Sequence, residues 1–316
     1  MQTLSSVRVF APASISNIGP GFDVLGAAIN ALGDVVFARR TKTTGIQFTM
    51  RTLRTDVTIE PERNVARHVA QLMMDDLKPA FGVELVLDKR MPVGSGLGSS
   101  AASSVAAALA YNLIQENPLQ KDELLPFVLE GERLASGSAH ADNVAPSLLG
   151  GVCLVRSYDP LDIIRLPIKN AIYWTVLYPK IIVRTEDARH VLPPEISLRN
   201  AVRQWGNVGG MVDGLIAGNP YLVGKCMEDV IVEPARAHLI PGFYEIKYAA
   251  LKEGATGCTI SGSGPAIVAV APTKQKAEKI GHAMRTVCQR TVQLESEVYI
   301  SKTNLKGAIR LKKGRS

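Results

Sequence analysis

The sequence predicts an α+β protein built from two domains. Its 316 residues are about twice the length of a typical domain, and 46% of them are apolar, which is enough to bury a substantial core. The first half alternates short β-branched runs with stretches of helical periodicity. The periodic pattern then weakens between Pro160 and Pro167, and a second mixed unit follows. We therefore predict domains over residues 1–167 and 168–316.

In the first domain, strands and helices are predicted in alternation. The β-branched runs that predict strands are Val7–Phe10, Val35–Ala38, Val57–Ile59, Val83–Leu87 and Val152–Val155. The apolar spacing predicts helices over Val65–Leu77, Ser99–Ile114 and Lys121–Ser136.

In the second domain, the same signals predict a further set of mixed elements. Strands are predicted at Ile172–Tyr178, at Ala266–Val270 and near Glu297–Ile300. Helices are predicted at Arg199–Ile216, Tyr221–Val230, Tyr244–Glu253 and Lys274–Cys288.

Composition argues against several classes of protein. No apolar run approaches the roughly 18 residues of a membrane helix. The N-terminus leaves no room for a cleavable leader before the first structured segment, so we expect a cytoplasmic protein. The cysteines form no CxxC pair and have no histidine at zinc-finger spacing, which predicts buried thiols instead of a metal ribbon or a disulfide framework. They are Cys153, Cys226, Cys258 and Cys288.

The positive charge of the chain is concentrated at its end. The net charge is +7, and six basic residues lie within the last 15 positions, which contain no acid. They are Lys302, Lys306, Arg310, Lys312, Lys313 and Arg315. Because aromatic residues make up only 5%, we expect a solvated terminal segment and no nucleic-acid partner. An RNA-binding tail is the alternative, and it predicts salt-dependent affinity that is lost when residues 302–316 are deleted.

The sharpest local feature is a glycine-rich loop, Pro92–Ala102, that runs directly into an alanine-rich helix. Its glycines, Gly94, Gly96 and Gly98, occupy alternate positions and let the backbone approach an anion closely. The helix that follows presents unpaired N–H groups and a partial positive charge. The pattern predicts a phosphate-binding loop.

Three alternatives to this interpretation differ in strength. A Walker A loop needs a lysine after its last glycine, and here Ser99 and Ser100 follow. A dinucleotide fingerprint needs a strand directly before the glycines, whereas Asp88–Pro92 intervenes, and the acid it needs about 20 residues later is absent, since Glu116 marks a helix end. A simple tight turn is the remaining structural alternative.

Two further polar clusters have the chemistry of a substrate or metal site. Asn17 and Asp23 flank a turn rich in glycine and proline, where they can bind a hydroxyl and an ammonium group. Glu132 lies in a helix that ends at Gly137, and with Ser100 it offers the hard oxygen ligands that Mg²⁺ prefers. Each cluster taken alone is explained equally well by turn or capping roles.

Other candidates lie in the second domain. Arg189 and Arg236 stand in polar stretches, and a pair of arginines is the natural partner of a substrate carboxylate. Gly262 belongs to a second small-residue loop, Ile260–Pro265, whose signal is weak. A surface position explains either arginine when it is considered singly.

Together, and in this order, these clusters resemble the GHMP kinase superfamily over almost the whole chain. The superfamily loop, P-x-x-x-G-L-G-S-S-A-A, is matched in full by Pro92–Ala102. Three segments resemble the homoserine kinases more than the sugar or mevalonate kinases: Asn17–Asp23, His140–Asn143 and Glu233–Arg236. Ile15 and Ser16 depart from the usual Ser and Ala, a change we expect to affect packing only.

The resemblance implies a two-domain GHMP kinase fold. Its N-terminal, ATP-binding domain is similar to domain 2 of ribosomal protein S5, with a left-handed β-α-β crossover, and its C-terminal domain is ferredoxin-like. ATP lies on the glycine loop, with Asn64 and Lys89 near the adenosine. The implied loop contacts are Pro92, Val93, Gly94, Ser95, Gly96, Leu97, Gly98, Ser99, Ser100, Ala101 and Ala102.

The resemblance also implies the reaction and its residues. The expected activity is ATP-dependent phosphorylation of the side-chain hydroxyl of L-homoserine in threonine synthesis, with Mg²⁺ on Ser100 and Glu132. Matching substrate positions are Asn17, Asp23, His140, Thr185, Arg189, Arg236 and Gly262, and matching catalytic positions are His140, Asp142, Asn143 and Arg189.

Two questions stay open within the resemblance. The base of mevalonate kinases aligns with Asp142 or with Asn143, and we favour Asn143, which leaves Mg²⁺ and Arg189 to carry the chemistry. The protein is expected to form a homodimer. A non-enzymatic ligand sensor is the alternative function, and the presence of Ser100 and Glu132 argues against it.

Overall fold

The computed structural model describes residues 4–52, Arg54 and residues 64–312. The strands of the first domain are β1 (Ser6–Ser16), β2 (Leu25–Thr41), β3 (Ile46–Thr52), β4 (Gly82–Lys89), β5 (Val152–Tyr158) and β6 (Leu161–Arg165). Its helices are α1 (Val65–Leu77), α2 (Ser99–Leu113), α3 (Leu125–Ser136) and α4 (Ala141–Leu149). In the second domain the strands are β7 (Tyr173–Pro179), β8 (Gly257–Ile260), β9 (Ile267–Ala271) and β10 (Ser296–Lys302). The helices there are α5 (Thr185–His190), α6 (Leu198–Ala217), α7 (Pro220–Cys226), α8 (Val232–Arg236), α9 (Phe243–Lys252) and α10 (Lys274–Arg290), and the short strand β11 (Ile309–Arg310) follows β10.

The first sheet has the order β11-β1-β2-β4-β3, with β5 and β6 attached beside β2. Strand β3 lies parallel to β4, to which α1 connects it, and the other pairs are antiparallel. Helix α2 packs on β1 and β2 and is buried continuously from Ala101 to Asn112. Its alanines make this possible, because small side chains let a helix lie close to a sheet. The helix that begins at the glycine loop is therefore the central helix of the domain.

The second sheet is antiparallel throughout and has the order β10-β7-β9-β8. Numbered along the domain, this is the order 4-1-3-2, with a helical crossover after its first strand and another, α10, before its last. That arrangement confirms the ferredoxin-like C-terminal domain and, with the first sheet, the α+β class.

The C-terminal segment returns to the first domain, which the sequence patterns did not predict. Strand β11 pairs with β1, and Thr303, Asn304 and Ala308 are buried. The Lys121 ammonium donates to three carbonyl oxygens here, at 3.2 Å from Leu148, 3.3 Å from Lys306 and 2.7 Å from Ala308.

The prediction of a solvated tail is therefore wrong for the described part of this segment. The backbone and the small side chains dock against the sheet, while Lys302, Lys306 and Arg310 keep their charges exposed to water. Lys313 and Arg315 lie outside the described residues. The division of the chain at residue 167 stays a prediction. Residues 303–311 belong to the predicted second domain but pack with the first unit.

Most predicted elements are present, with shifted ends. Helix α1 matches its predicted bounds, β1 and β2 are longer than predicted, and α7 ends at Cys226 instead of extending to Val230. The predicted strand Val57–Ile59 lies outside the described residues. Elements that the sequence patterns did not predict are β3, β6, β8, β11, α4, α5 and α8. The four cysteines are free and buried, as predicted. Within the described ranges, no helix is both long and apolar enough to cross a membrane.

Candidate active site

A cavity of about 670 Å³ lies between the two domains and collects most of the predicted site residues. Its walls are the glycine loop, the turn after β1, the junction of α3 and α4, the start of α5 and the end of α8. Predicted residues that line it are Asn17, Asp23, Val93, Gly94, Ser95, Gly96, Gly98, Ser99, Ser100, Glu132, His140, Asp142, Asn143, Thr185, Arg189, Arg236 and Gly262.

The glycine loop is held with its carbonyl groups bonded to the protein. The carbonyl oxygen of Ser95 accepts from the Ala266 amide at 3.1 Å, and that of Gly96 accepts from the Ser261 hydroxyl at 2.7 Å. Gly94, Gly96 and Gly98 all have positive φ angles, of 65°, 75° and 64°. Because these carbonyls are occupied elsewhere, the loop is free to direct its N–H groups toward an anion.

The start of α2 contributes the other half of this anion site. Gly98 occupies the N-cap position in a left-handed conformation, and no side chain caps the helix. A Cβ atom at Gly98 would lie 2.0 Å from Ser14 Oγ, so only glycine fits against β1. Within the described part of the chain no side chain therefore caps the first N–H groups of α2, and Ser99 and Ser100, which carry two of them, line the cavity, which suits a phosphate group.

The turn after β1 holds its two polar residues in left-handed conformations. Asn17 has a φ angle of 68° and Asp23 one of 59°. The Asn17 side chain accepts from the Asp23 amide at 3.1 Å and donates to the Gly262 carbonyl oxygen at 3.1 Å. The Tyr158 hydroxyl donates to the Asp23 carbonyl oxygen at 2.9 Å. These bonds fix the Asp23 carboxylate at the edge of the cavity and join the turn to the second domain.

Arg189 connects two of the predicted substrate-binding side chains. Its Nη2 atom donates to both Asp23 carboxylate oxygens, at 3.0 and 2.8 Å, and lies 2.9 Å from His140 Nε2. Because arginine has only donors, His140 accepts at Nε2 and carries its proton on Nδ1. That proton faces Ser136 Oγ at 3.1 Å and Glu132 Oε2 at 3.6 Å.

Arg236 is buried and held by the backbone. It donates to the carbonyl oxygen of Ala188 at 2.8 Å and to that of Gly262 at 2.9 Å, and it lies 5.1 Å from the centre of the Phe22 ring. Burial lowers the pKa of Arg236 to about 10, against the opposing effect of the Asp23 carboxylate, so the group stays charged at neutral pH. Its charge is thus fixed in place for an anionic ligand.

Asp142 and Asn143 begin α4 and differ in what they can offer a ligand. Burial, reinforced by the Asp23 carboxylate, raises the pKa of Asp142 to about 7. The Asn143 amide is bound to β1, since its oxygen accepts from Ser14 Oγ at 2.8 Å and its nitrogen donates to Ser16 Oγ at 3.1 Å. Asp142 is therefore the more available of the two.

Four cavity-lining residues carry a buried polar atom with no hydrogen-bond partner among the described residues. These atoms are Ser99 Oγ, Glu132 Oε1, Asp142 Oδ1 and Arg189 Nε. Buried polar groups in folded proteins are nearly always bonded. Their convergence on one cavity indicates that it takes a polar ligand of mixed charge.

The donor set also fits a magnesium ion that is only partly held by protein. Glu132 keeps one free carboxylate oxygen, and Ser100 adds a hydroxyl from the start of α2. Within the described ranges, no group of three or more His, Cys, Asp or Glu residues has the arrangement of a metal site. Mg²⁺ commonly uses one or two carboxylates together with phosphate oxygens and water, so two protein ligands suffice.

Several residues implied by the resemblance lie outside the cavity wall. Asn64 is the N-cap of α1, and its oxygen accepts from the Ala66 amide at 3.0 Å. Lys89 is buried against Asp34 behind the glycine loop. Of the loop itself, Pro92, Leu97, Ala101 and Ala102 do not line the cavity. The nucleotide-binding roles of these residues remain predictions.

Two functional contributions were not predicted from the sequence. Phe22 lies beneath the guanidinium groups of Arg189 and Arg236, at 5.5 and 5.1 Å from its ring centre. An aromatic residue directly before the predicted Asp23 was the available signal. Ser14, which fixes Asn143, gave no signal because its partner is 129 residues away.

Comparisons with known proteins agree with this geometry. The model of the GHMP kinases N terminal domain matches residues 64–151, and that of the GHMP kinases C terminal domain matches residues 211–290. A homoserine kinase of Chlorobium phaeobacteroides strain BS1 is 43% identical over 317 residues, which cover 96% of this chain and 99% of the relative. One from Chloroherpeton thalassium is 43% identical over 316 residues, with the same coverage.

Solved structures show the same relationship. The crystal structure of homoserine kinase from Cytophaga hutchinsonii superposes with a TM-score of 0.92 and 46% identity, covering 98% of this chain and 99% of that one. The L. major mevalonate kinase in complex with R-mevalonate has a TM-score of 0.76 at 17% identity, covering 95% and 97%, which shows the shared fold alone. By its sequence, its fold and the geometry of this cavity, the chain belongs to the homoserine kinases of the GHMP kinase family.

Proposed function

We propose that this chain transfers the γ-phosphoryl group of ATP to the side-chain hydroxyl of L-homoserine, giving O-phospho-L-homoserine and ADP in threonine biosynthesis. The observation that carries the proposal is the convergence of Ser99, Glu132, Asp142 and Arg189 on one cavity, each with an unsatisfied buried atom. An anion site, a carboxylate pair and two arginines are the partners that a nucleotide and a zwitterionic amino acid require.

The triphosphate binds to the glycine loop and to the N-terminus of α2. The N–H groups of the loop and of the first helical turn hydrogen-bond the phosphate oxygens. Ser100 and Glu132 would hold Mg²⁺, and the bound cation would supply positive charge to neutralise the phosphoryl group during transfer. The helix terminus alone contributes only about 0.3–1 kcal/mol per charge at exposed sites, so the cation and the arginines are needed as well.

The amino acid binds by exchanging partners with an existing ion pair. Its ammonium group binds Asp23, and its carboxylate binds Arg189 and Arg236. Asp23 and Arg189 already lie at hydrogen-bond distance from each other, so the substrate replaces their mutual contact by one contact to each of them and adds a third to Arg236. Cation–π contacts with the one Phe22 ring hold both guanidinium groups close to it in the cavity wall.

Orientation then supplies most of the rate enhancement. Holding the hydroxyl in line with the γ-phosphorus is worth about 7–11 kcal/mol. Asp142 accepts the hydroxyl proton as the new P–O bond forms and the bond to the ADP oxygen breaks. Its free oxygen and raised pKa support this role, whereas the Asn143 amide is bound to Ser14 and Ser16.

A coupled assay of ADP release across acceptors tests the proposal. We expect Mg²⁺-dependent turnover with L-homoserine and background rates with mevalonate and galactose. Turnover with mevalonate or galactose but not with homoserine would overturn the proposed substrate and leave the kinase activity in place. Thermal stabilisation by homoserine without ADP release would instead indicate a ligand sensor. The homodimer implied by the resemblance and the cytoplasmic location expected from the N-terminus belong to the same proposal, and sedimentation velocity tests the dimer.

A further inference from the structure

A buried charged network lies directly behind the glycine loop and has no part in the mechanism above. It joins Asp34 on β2, Lys89 at the end of β4 and Ser103 on α2, with exposed fractions of 0%, 3% and 2%. Strands β2 and β4 pair antiparallel with Val35 opposite Asp88, which brings Asp34 beside Lys89. Buried lysine and aspartate are expensive to desolvate, so their presence here calls for a physical reason.

All three N–H donors of the Lys89 ammonium are already used. Its Nζ atom donates to Asp34 Oδ2 at 2.5 Å, to the Ser99 carbonyl oxygen at 2.9 Å and to Ser103 Oγ at 2.9 Å. An ammonium group has no further donor. Lys89 therefore has none left for a nucleotide while this network is intact.

The Asp34 carboxylate joins the two ends of the glycine loop. Its Oδ1 atom accepts from the amides of Arg90 and Met91, at 2.9 and 3.1 Å, where the chain enters the loop. Its Oδ2 atom accepts from Lys89 and from Ser103 Oγ, the latter at 2.7 Å, where the chain leaves the loop as α2. One buried carboxylate thus fixes the separation of the entry and exit of the phosphate-binding segment.

The exit point is next to a residue with a proposed chemical role. Lys89 binds the carbonyl of Ser99, and Ser100, the next residue, is the proposed magnesium ligand. A shift of this carbonyl would move the Ser100 hydroxyl and the first N–H groups of α2 together. Donors that are fixed before the ligand arrives bind it without a reorganisation cost.

We propose that Asp34 and Lys89 are positioning residues for the triphosphate, and that Lys89 acts on the nucleotide only through the loop. The proposal rests on the proposed function for the identity of the ligand. It differs from the placement implied by the resemblance, in which Lys89 lies beside the adenosine. It also accounts for retaining a buried ion pair, because the pair holds a loop whose glycines give it little rigidity of its own.

The test measures binding of Mg·ADP by calorimetry, together with the KM values for ATP and homoserine, in Asp34→Asn, Lys89→Met and the double variant. We expect each single variant to weaken Mg·ADP binding about tenfold or more, with the homoserine KM within about twofold of wild type. The double variant should lose no more than either single variant, since both residues act through one loop.

Lys121→Met is the matched control. Lys121 also donates to three acceptors, but these lie at the C-terminal segment and at the end of α4. Its loss should lower the melting temperature and leave Mg·ADP affinity unchanged. Equal melting losses in Lys89→Met and Lys121→Met, with wild-type Mg·ADP affinity in both, would overturn the proposal by making the network merely structural.

Two other results would also overturn it. If Lys89→Met weakens Mg·ADP binding and Asp34→Asn does not, Lys89 is a direct ligand. A crystal structure of the wild-type protein with Mg·ADP in which Lys89 Nζ contacts the nucleotide would likewise make Lys89 a direct ligand, and this measurement stands even where the variants fail to fold. Because binding is measured with ADP alone, a wild-type protein that fails to phosphorylate homoserine would overturn the proposed function without affecting this comparison.

Discussion

Asp23 and Arg189 form an ion pair across the mouth of the cavity, with Arg189 Nη2 at 3.0 and 2.8 Å from the two carboxylate oxygens. The side chains retain 29% and 31% of their exposure, so water can reach the pair and the contact is weak enough to exchange. A zwitterionic amino acid offers each partner a replacement of the correct sign. In the proposed function, the neutral Asp23–Arg189 pair would therefore be replaced by one opposite-charge contact to each partner when the substrate binds.

The first prediction concerns Asp23→Asn, which keeps an acceptor oxygen but removes the negative charge proposed to bind the substrate ammonium group. Hydrogen bonds to charged groups are worth about 1.5–3 kcal/mol, so the KM for homoserine should rise about 10- to 100-fold. The KM for ATP should stay near wild type, because the glycine loop is not altered. Steady-state kinetics with either substrate varied gives both values, and an unchanged homoserine KM would remove Asp23 from the substrate site.

The second prediction concerns Arg236→Leu. The KM for homoserine should rise about 10- to 100-fold, because a charged partner of the substrate carboxylate is lost. Arg203→Leu is the control, since Arg203 is exposed and pairs only with Glu228 in the described structure. Wild-type homoserine KM in both variants would mean that the carboxylate binds elsewhere.

Local patterns in the sequence were sufficient to predict the glycine loop and its helix. The alternating glycines and the alanine run are consecutive in the chain, so one window of residues contains the whole signal. Helix α1 was predicted with its correct bounds for a similar reason, since Asn64 caps it and the apolar spacing is regular. By contrast, α4 was missed because its first turn is polar and Pro146 lies inside it.

Long-range charge pairing could not be predicted in the same way. Asp23 and Arg189 are 166 residues apart, and Asp34 and Lys89 are 55 apart. Neither pair produces a periodic pattern in the sequence, because the partners of an ion pair are brought together only by the folded geometry. The contact between Ser14 and Asn143, which bears on the choice between Asp142 and Asn143, is equally long-range, since these two residues are 129 positions apart.

The third prediction tests the backbone geometry of the loop with Gly98→Ala. An alanine Cβ would collide with Ser14 Oγ at 2.0 Å, and it would have to adopt a φ angle of 64°. We expect Mg·ADP affinity to fall about tenfold or more, since displaced donors lose their alignment. Gly45→Ala is the control, because Gly45 has a φ angle of 94° and an added Cβ atom would meet no described atom within 4 Å beyond its chain neighbours. It should cost about 1–2 kcal/mol of stability and leave nucleotide affinity unchanged.

The fourth prediction concerns Glu132→Gln, which keeps the shape of the proposed magnesium ligand and removes its charge. The kcat should fall about 10- to 100-fold, and the Mg²⁺ concentration for half-maximal rate should rise. ATP affinity should change less, because metal charge matters most when the phosphoryl group is in transit. Glu130→Gln is the control, since Glu130 lies on the same helix, is half-buried and does not line the cavity, and pairs with Arg133. Equal losses of kcat in both variants would contradict a metal-binding role.

The fifth prediction concerns Asp142→Asn and the pH dependence of the reaction. A base acts in its deprotonated form, and the pKa of Asp142 is raised to about 7, first by burial and then by Asp23. The wild-type kcat/KM for homoserine should therefore increase as the pH rises through about 7 and level off above it. Asp142→Asn should lower kcat by about 10²–10⁴ and abolish this rise, because an amide does not titrate. The ratio of wild-type to variant rate, followed from about pH 6 to about pH 9 in the coupled assay, should grow with pH and then become constant. A variant that keeps half of the wild-type kcat and the same pH profile would instead mean that solvent accepts the hydroxyl proton. Arg189 and the cation would then be sufficient for phosphoryl transfer.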